Sequence, residues 1–112
     1  MSERMRRVDT AVRQVLGDAV SQDLKDPRVG FVTVTDVSTS PDLRHARVYV
    51  SILGTPAEQE ASLAGLRSAH GFLQGRVARE LRLKNTPELE FLLDDTVEKA
   101  FRLERLLEDG TA

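Results

Sequence analysis

Apolar and polar positions alternate with two different periods along this chain of 112 residues, and the switches between them divide it into elements. Between residues 4 and 24, Met5, Val8, Val12, Val15, Leu16, Ala19, Val20 and Leu24 recur on one side at helical spacing, which predicts an amphipathic helix. Asp26-Pro27 ends it, because the residue before a proline is pushed out of the helical region. A period of two then takes over. After the turn signal Asp26-Pro27-Arg28-Val29-Gly30, runs near 31–38 and 44–53 alternate, with the turn Ser40-Pro41-Asp42-Leu43 between them. They predict an antiparallel pair with one apolar and one wet face. In the second run Ala46, Val48, Val50 and Ile52 share the apolar face, and His45, Arg47, Tyr49 and Ser51 the wet one.

The helical period returns after Gly54. Thr55 is placed to cap a helix with Pro56 at its first position, and Glu58 completes a capping box. From about 57 to 84 the pattern is interrupted by Ala69-His70-Gly71 and by Gly75. An interior glycine costs roughly 1 kcal/mol relative to alanine, so glycines this close together predict a bend or break. Beyond it Leu73, Val77 and Leu81 share one side of a helix and Arg76, Arg79 and Arg82 the other, with Asn85-Thr86-Pro87 as the stop. A short strand is expected over 89–93. Asp95-Thr96-Val97-Glu98 then reads as the cap of a last helix carrying Val97, Ala100, Phe101, Leu103, Leu106 and Leu107. The order α-β-β-α-kink-α-β-α describes an α+β fold, expected to be a single domain over 1–112 with one sheet and helices on one face.

Composition narrows the class of function. The absence of Cys excludes disulfides, thiolate catalysis and Cys-based zinc sites. The N-terminus runs straight into the first helix without an apolar signal core, and the apolar runs are too short to span a bilayer, so a cytoplasmic protein is expected. The formal net charge of −2 and pI of about 5.7 speak against a nucleic-acid partner. The distribution speaks for one: Arg67, Arg76, Arg79, Arg82 and Lys84 face a single acid, Glu80, between 67 and 84, whereas acids outnumber bases by eight to three from Thr86 onward.

Candidate chemistry is sparse. His45 and His70 have no metal-ligand spacing, and Asp94-Asp95 and Asp23 with Asp26 lack the alternating oxygen ligands of a calcium loop. No serine sits in a nucleophile elbow and no Gly-rich loop carries a phosphate-binding Lys. No enzyme, metal or cofactor is expected. Local pairing accounts for some arginines, as Arg76 with Glu80 or Arg6–Asp9–Arg13, and for Arg4, Arg6 and Arg7 a solvated face and a binding face stand level. Around Arg76, Arg79 and Arg82 acids are scarce, and planar guanidinium groups suit bidentate phosphate recognition. Tyr49 alone gives too few aromatics for a sheet that stacks RNA bases.

Taken in order, DPRV, VTVTDVSTSPDLRHARVYVSILG, the Ala69-His70-Gly71 segment and TPELEFLLDDTVEKAFRLERLL resemble the ribosome-binding factor A family, from the Arg-rich start to Leu107. The resemblance implies a KH-like fold of the second type, with helices packed on a three-stranded mixed sheet. It also implies that an Ala-x-Gly kink, here Ala69-His70-Gly71, replaces the GxxG nucleotide clamp. By the same resemblance the chain would be a non-catalytic, monomeric assembly factor binding the free 30S ribosomal subunit and its 16S rRNA. It would assist late rRNA maturation, with a link to growth in the cold, and leave in concert with an assembly GTPase or an initiation factor. The binding face expected is Arg76, Arg79, Arg82 and Lys84 with Arg67 at the kink, joined by Arg4, Arg6 and Arg7, with Lys25 and Arg28 secondary. Their role would be positioning against phosphates with little base readout. A protein-interaction module, docking through its acidic last helix or the open sheet face, is the alternative.

Overall fold

A computed structural model of the protein describes residues 3–95, so the last helix expected after Asp95 lies outside the described residues. The elements are α1 (Glu3–Asp18) continued by a π turn (Ala19–Asp23), β1 (Val32–Thr39), β2 (His45–Ile52), α2 (Pro56–Ser68), α3 (His70–Leu81) and β3 (Glu88–Leu93). β2 is the central strand, with β1 antiparallel on one side and β3 parallel on the other. α1 packs over β1 and α3, and α2 lies against β3. Their buried residues, among them Val12, Leu16, Leu66, Leu73 and Val77, meet Ala46, Val48, Val50 and Phe91 from one face of the sheet. Each such Val, Leu or Phe side chain contributes about 1.5–3 kcal/mol through burial. This mixed sheet with helices on a single face is the α+β, type II KH-like arrangement.

Several local expectations hold. Thr55 and Glu58 close the capping box: the Glu58 N–H donates to the Thr55 hydroxyl and the Thr55 N–H to the Glu58 carboxylate. In β2 the residues from Ala46 to Ile52 alternate between core and outer face as read from the pattern. Other features depart from it. The first helix does not run regularly to Leu24; its end widens into the π turn, closed by Leu24 N–H to Ala19 C=O at 2.9 Å. β1 carries a bulge, its pairing passing from Val34↔Val50 to Asp36↔Tyr49. The extra residue, Thr35, lets Val34 and Val37 both face the core although they are three positions apart. The Thr35 hydroxyl lies 2.6 Å from the Asp94 carboxylate and 3.2 Å from the Tyr49 carbonyl. Asp9 does not join Arg6 and Arg13; its carboxylate accepts the Thr39 N–H at 2.9 Å and pins α1 to the end of β1.

The helical stretch after Gly54 breaks at Ala69, whose φ of −86° and ψ of 12° fall outside the α region. Neither Gly71 nor Gly75 makes the break: both lie inside α3, and neither has left-handed backbone. The broken pair closes the free edge of β3. From α2, the Arg67 guanidinium donates to the Phe91 carbonyl at 3.2 Å. From α3, the Gln74 amide donates to the Pro87 carbonyl and accepts the Leu89 N–H at 3.2 Å. The α3 helix ends at Leu81, short of Asn85-Thr86-Pro87, because Arg82 turns into the left-handed region with φ 47° and ψ 42°.

The segment before β1 is docked on α2. The Gly30 N–H donates to the buried Ser62 hydroxyl at 3.1 Å, and that hydroxyl donates to the Arg28 carbonyl at 3.1 Å. Close approach requires Gly65 here, since a Cβ at that position would lie 2.7 Å from Val29 Cγ2.

Two measurements follow from this packing. Gln74→Leu keeps the volume but strips the partners from Pro87 and Leu89, so chemical denaturation should show a loss of about 1–3 kcal/mol. Gly65→Ala should also destabilise, by about 1–3 kcal/mol, because the added Cβ would lie 2.7 Å from Cγ2 of Val29, whose β-branched side chain is stiff at χ1; unchanged melting would show that the segment before β1 is not held against α2.

Candidate nucleic-acid interface

The ten cations singled out in the sequence fall into three physical situations. Arg28, Arg67 and Arg76 are committed within the fold. Arg28 forks onto Asp26, with Nη2 2.8 Å from Oδ2 and Nε 3.1 Å from Oδ1. That side-chain hydrogen bonding, with the Arg28 N–H adding to it, lowers the Asp26 pKa to about 2. Because the folded value is depressed, the pair's contribution is present above the ordinary carboxylate range and lost only as pH falls towards 2. Arg67 spends one guanidinium nitrogen on the edge of β3, though its side chain remains exposed at the kink.

Arg76 is the most heavily engaged. The expected Arg76–Glu80 pair is present at 3.0 Å, and a second carboxylate, Asp23 from the π turn, meets Nη1. Hydrogen bonding first to Asp23 and then to Glu80 raises the Arg76 pKa further, and its side chain is only 20% exposed. The wheel that placed Arg76 with Arg79 and Arg82 on one solvated face therefore misplaced it. Arg76 sits on the flank of α3 that faces the π turn, where it joins two elements 53 positions apart.

Arg79, Arg82 and Lys84 form the second situation. All three are exposed, and none has an ion-pair partner among the described residues. Arg79 lies in the last turn of α3, Arg82 is its left-handed cap, and Lys84 follows in the connection to β3. With Asp23 and Glu80 both bound to Arg76, no other acid among the described residues forms an ion pair with these three. Exposed backbone carbonyls at a helix C-terminus add to the preference for cations here. The third situation is that of exposed single cations. Arg4, Arg6 and Arg7 stand on the first turns of α1, where Arg7 approaches Glu3 at 3.9 Å, and Lys25 precedes the Asp26 turn.

At the kink, Ala69 and Gly71 offer no side-chain chemistry, but His70 does. It lines a 350 Å³ basin with His45, Arg67, Glu88 and Glu90, and its Nε2 is buried without a hydrogen-bond partner. Two acids beside the two histidines make this basin mixed in charge. Among the described residues no group of three or more His, Asp or Glu could hold a metal ion, and no helix is long and apolar enough to cross a membrane. On the outer sheet face the middle row Ser38–Arg47–Glu90 is polar and the next, Asp36–Tyr49–Leu92, is mixed. Phe31 and Leu53 stand out at one end, 80% and 77% exposed.

Sequence reasoning missed Phe72. It is 43% exposed on α3, with the Arg76 guanidinium carbon 6.0 Å from its ring centroid. A helical wheel anchored on Leu73 and Val77 turns Phe72 away from the core, and that signal could have found it.

A model of the ribosome-binding factor A family matches residues 4–107. Among solved structures, ribosome-binding factor A from Thermus thermophilus superposes with a TM-score of 0.71 at 30% identity, covering 80% of this chain and 94% of that one. A Thermotoga maritima protein described as a putative ribosome-binding factor A gives 0.73 at 38% identity, covering 82% and 88%. A Thermus thermophilus homology model, fitted into a cryo-EM map of a 30S complex with this factor, gives 0.65 at 31% identity over 78% and 91%. The family match covers the α1 arginines, the Ala69 break and the α3–β3 connection together, and so the chain belongs to the ribosome-binding factor A family.

Proposed function

We propose that this protein is a non-catalytic assembly factor that binds the free 30S subunit through 16S rRNA and assists its late maturation. The observation that carries the reading is the trio Arg79, Arg82 and Lys84, exposed and without ion-pair partners among the described residues, in a chain whose net charge is −2. Such a local excess serves phosphate contacts, which fix position and orientation and carry no sequence information. The relative fitted into a 30S complex supports the same partner. Arg4, Arg6 and Arg7 on α1 and Lys25 would add contacts. Arg67 would contribute its remaining donors at the kink, whereas Arg76 and Arg28 would hold their own elements in place. Function in the cytoplasm as a monomer, a contribution to growth in the cold, and release aided by an assembly GTPase or an initiation factor belong to this proposal.

A protein-docking role for the outer sheet face is favoured by one observation, the exposed pair Phe31 and Leu53. Salt separates the two readings. Phosphate-dominated binding weakens as a power of salt concentration set by the number of contacts, while an apolar surface responds little.

Arg79→Glu together with Lys84→Glu should weaken co-sedimentation with purified 30S subunits at least about tenfold, as expected when two phosphate contacts become repulsions. Neither residue has an ion-pair partner among the described residues, so the melting temperature should stay within about 2 °C of the wild type. Undiminished co-sedimentation would remove this face from the interface. Loss of the protein should also leave cells with 30S particles carrying unprocessed 16S rRNA at low temperature, read by mapping the rRNA ends.

A further inference from the structure

Three features of α3 are unfavourable for the fold, and all lie on its solvent side. Gly75 sits in the middle of the helix, where alanine would be more stable, yet a Cβ there would meet nothing within 4 Å. Arg82 occupies a left-handed position where glycine would be relaxed. Phe72 leaves 43% of its surface in water. Leu73 and Val77 face the core, Gln74 reaches β3, and Arg76 is clamped by Asp23 and Glu80. On the outward side, beside the exposed Gly71 and Ala78, Phe72, the half-buried Gly75 and Arg79 follow one another at successive helical turns and lead to Arg82. Local choices that conflict with the fold and leave no packing trace mark a surface shaped for something else.

We propose that this face seats an unpaired stretch of RNA: a base stacks on Phe72, the strand passes over the backbone bared at Gly75, and its phosphates meet Arg79 and Arg82. The inference rests on the proposed function above and adds a contact that reads single-stranded character, which phosphate binding alone does not. Arg76 fixes one side of the ring. Its two carboxylate partners keep it from swinging onto a phosphate itself, so it acts as a rigid backing for the aromatic plane. The clearance at Gly75 matters because a methyl group there would stand between Phe72 and Arg79, three residues before it and four after. RNA is favoured over a protein partner because the nearby acids are already neutralised, leaving Arg79, Arg82 and Lys84 to face the partner.

The test uses the full chain, purified 30S subunits and a salt series. Base–aromatic stacking contributes about 1–3 kcal/mol, so Phe72→Leu should weaken binding by roughly 5- to 150-fold without changing the salt slope. Phe72→Trp, which keeps a stacking plane, should restore the wild-type affinity. Gly75→Ala should raise the melting temperature by about 4 °C and yet weaken binding. Wild-type affinity in Phe72→Leu, or tight binding by the stabilised Gly75→Ala, overturns the inference. So does a collapse of the melting temperature in Phe72→Leu, which would assign the ring to the fold. A photoreactive phenylalanine at position 72 should crosslink to rRNA; adducts only with ribosomal protein would overturn it as well. If Arg79→Glu with Lys84→Glu abolishes binding while Phe72→Leu does not, the 30S interface stands and the stacking contact falls. If neither variant weakens binding, the interface itself is misplaced.

Discussion

The edge of β3 is the constraint around which the helices of this protein are arranged. A strand parallel to its neighbour cannot be reached by a tight turn, so α2 and α3 must carry the chain back across the sheet. The strand they deliver is an outer one with unpaired backbone groups along one side. Those groups are met by side chains from the delivering helices themselves. Arg67 near the end of α2 serves Phe91, and Gln74 one turn into α3 serves Pro87 and Leu89. A single straight helix would carry these two side chains along one line. The break at Ala69 lets each approach β3 from its own direction while Leu66, Leu73 and Val77 remain in the core.

That arrangement gives the Ala-x-Gly kink of the family a physical meaning in this chain. The break costs little backbone bonding: the Ala69 N–H still reaches Gly65 at 3.0 Å and Leu66 at 3.1 Å, and the Leu73 N–H reaches Ala69 at 3.0 Å. The two glycines that made the region stand out are not its cause. Their helical backbone and open surroundings separate shape from clearance, with Ala69 bending the chain and Gly75 emptying its outer surface.

Much of the framework was legible because it depends on neighbours in sequence. Alternation in Ala46–Ile52, the Thr55–Glu58 box and the Leu73–Val77 stripe are local patterns whose physics needs no distant partner. What escaped depends on contacts across the fold. The Thr35 bulge shows in the sequence only as a break in the alternation between Val34 and Val37, and its meaning waits on the pairing of Asp36 with Tyr49. The Asp23–Arg76 contact links residues far apart, and it ties into the fold a cation that the sequence assigned to a binding face. Gln74, an ordinary helix-surface residue by composition, acquires its role only from the strand beside it. Of the cationic site, the segment was legible and the division of labour within it was not.

The parallel register of β3 also orders events in time. β1 and β2 meet through a short turn in which the Ser40 carbonyl accepts the Leu43 N–H, so their ladder requires little loop closure. The His45↔Glu88 pairing closes a much longer loop, the one that contains both halves of the broken helix. Nor is the outer edge of β3 protected before Arg67 and Gln74 are in place. With β3 undocked, the edge of β2 would be open to any extended segment nearby, its own or another chain's. The same side chains that complete the native edge thus also guard the sheet against mispairing.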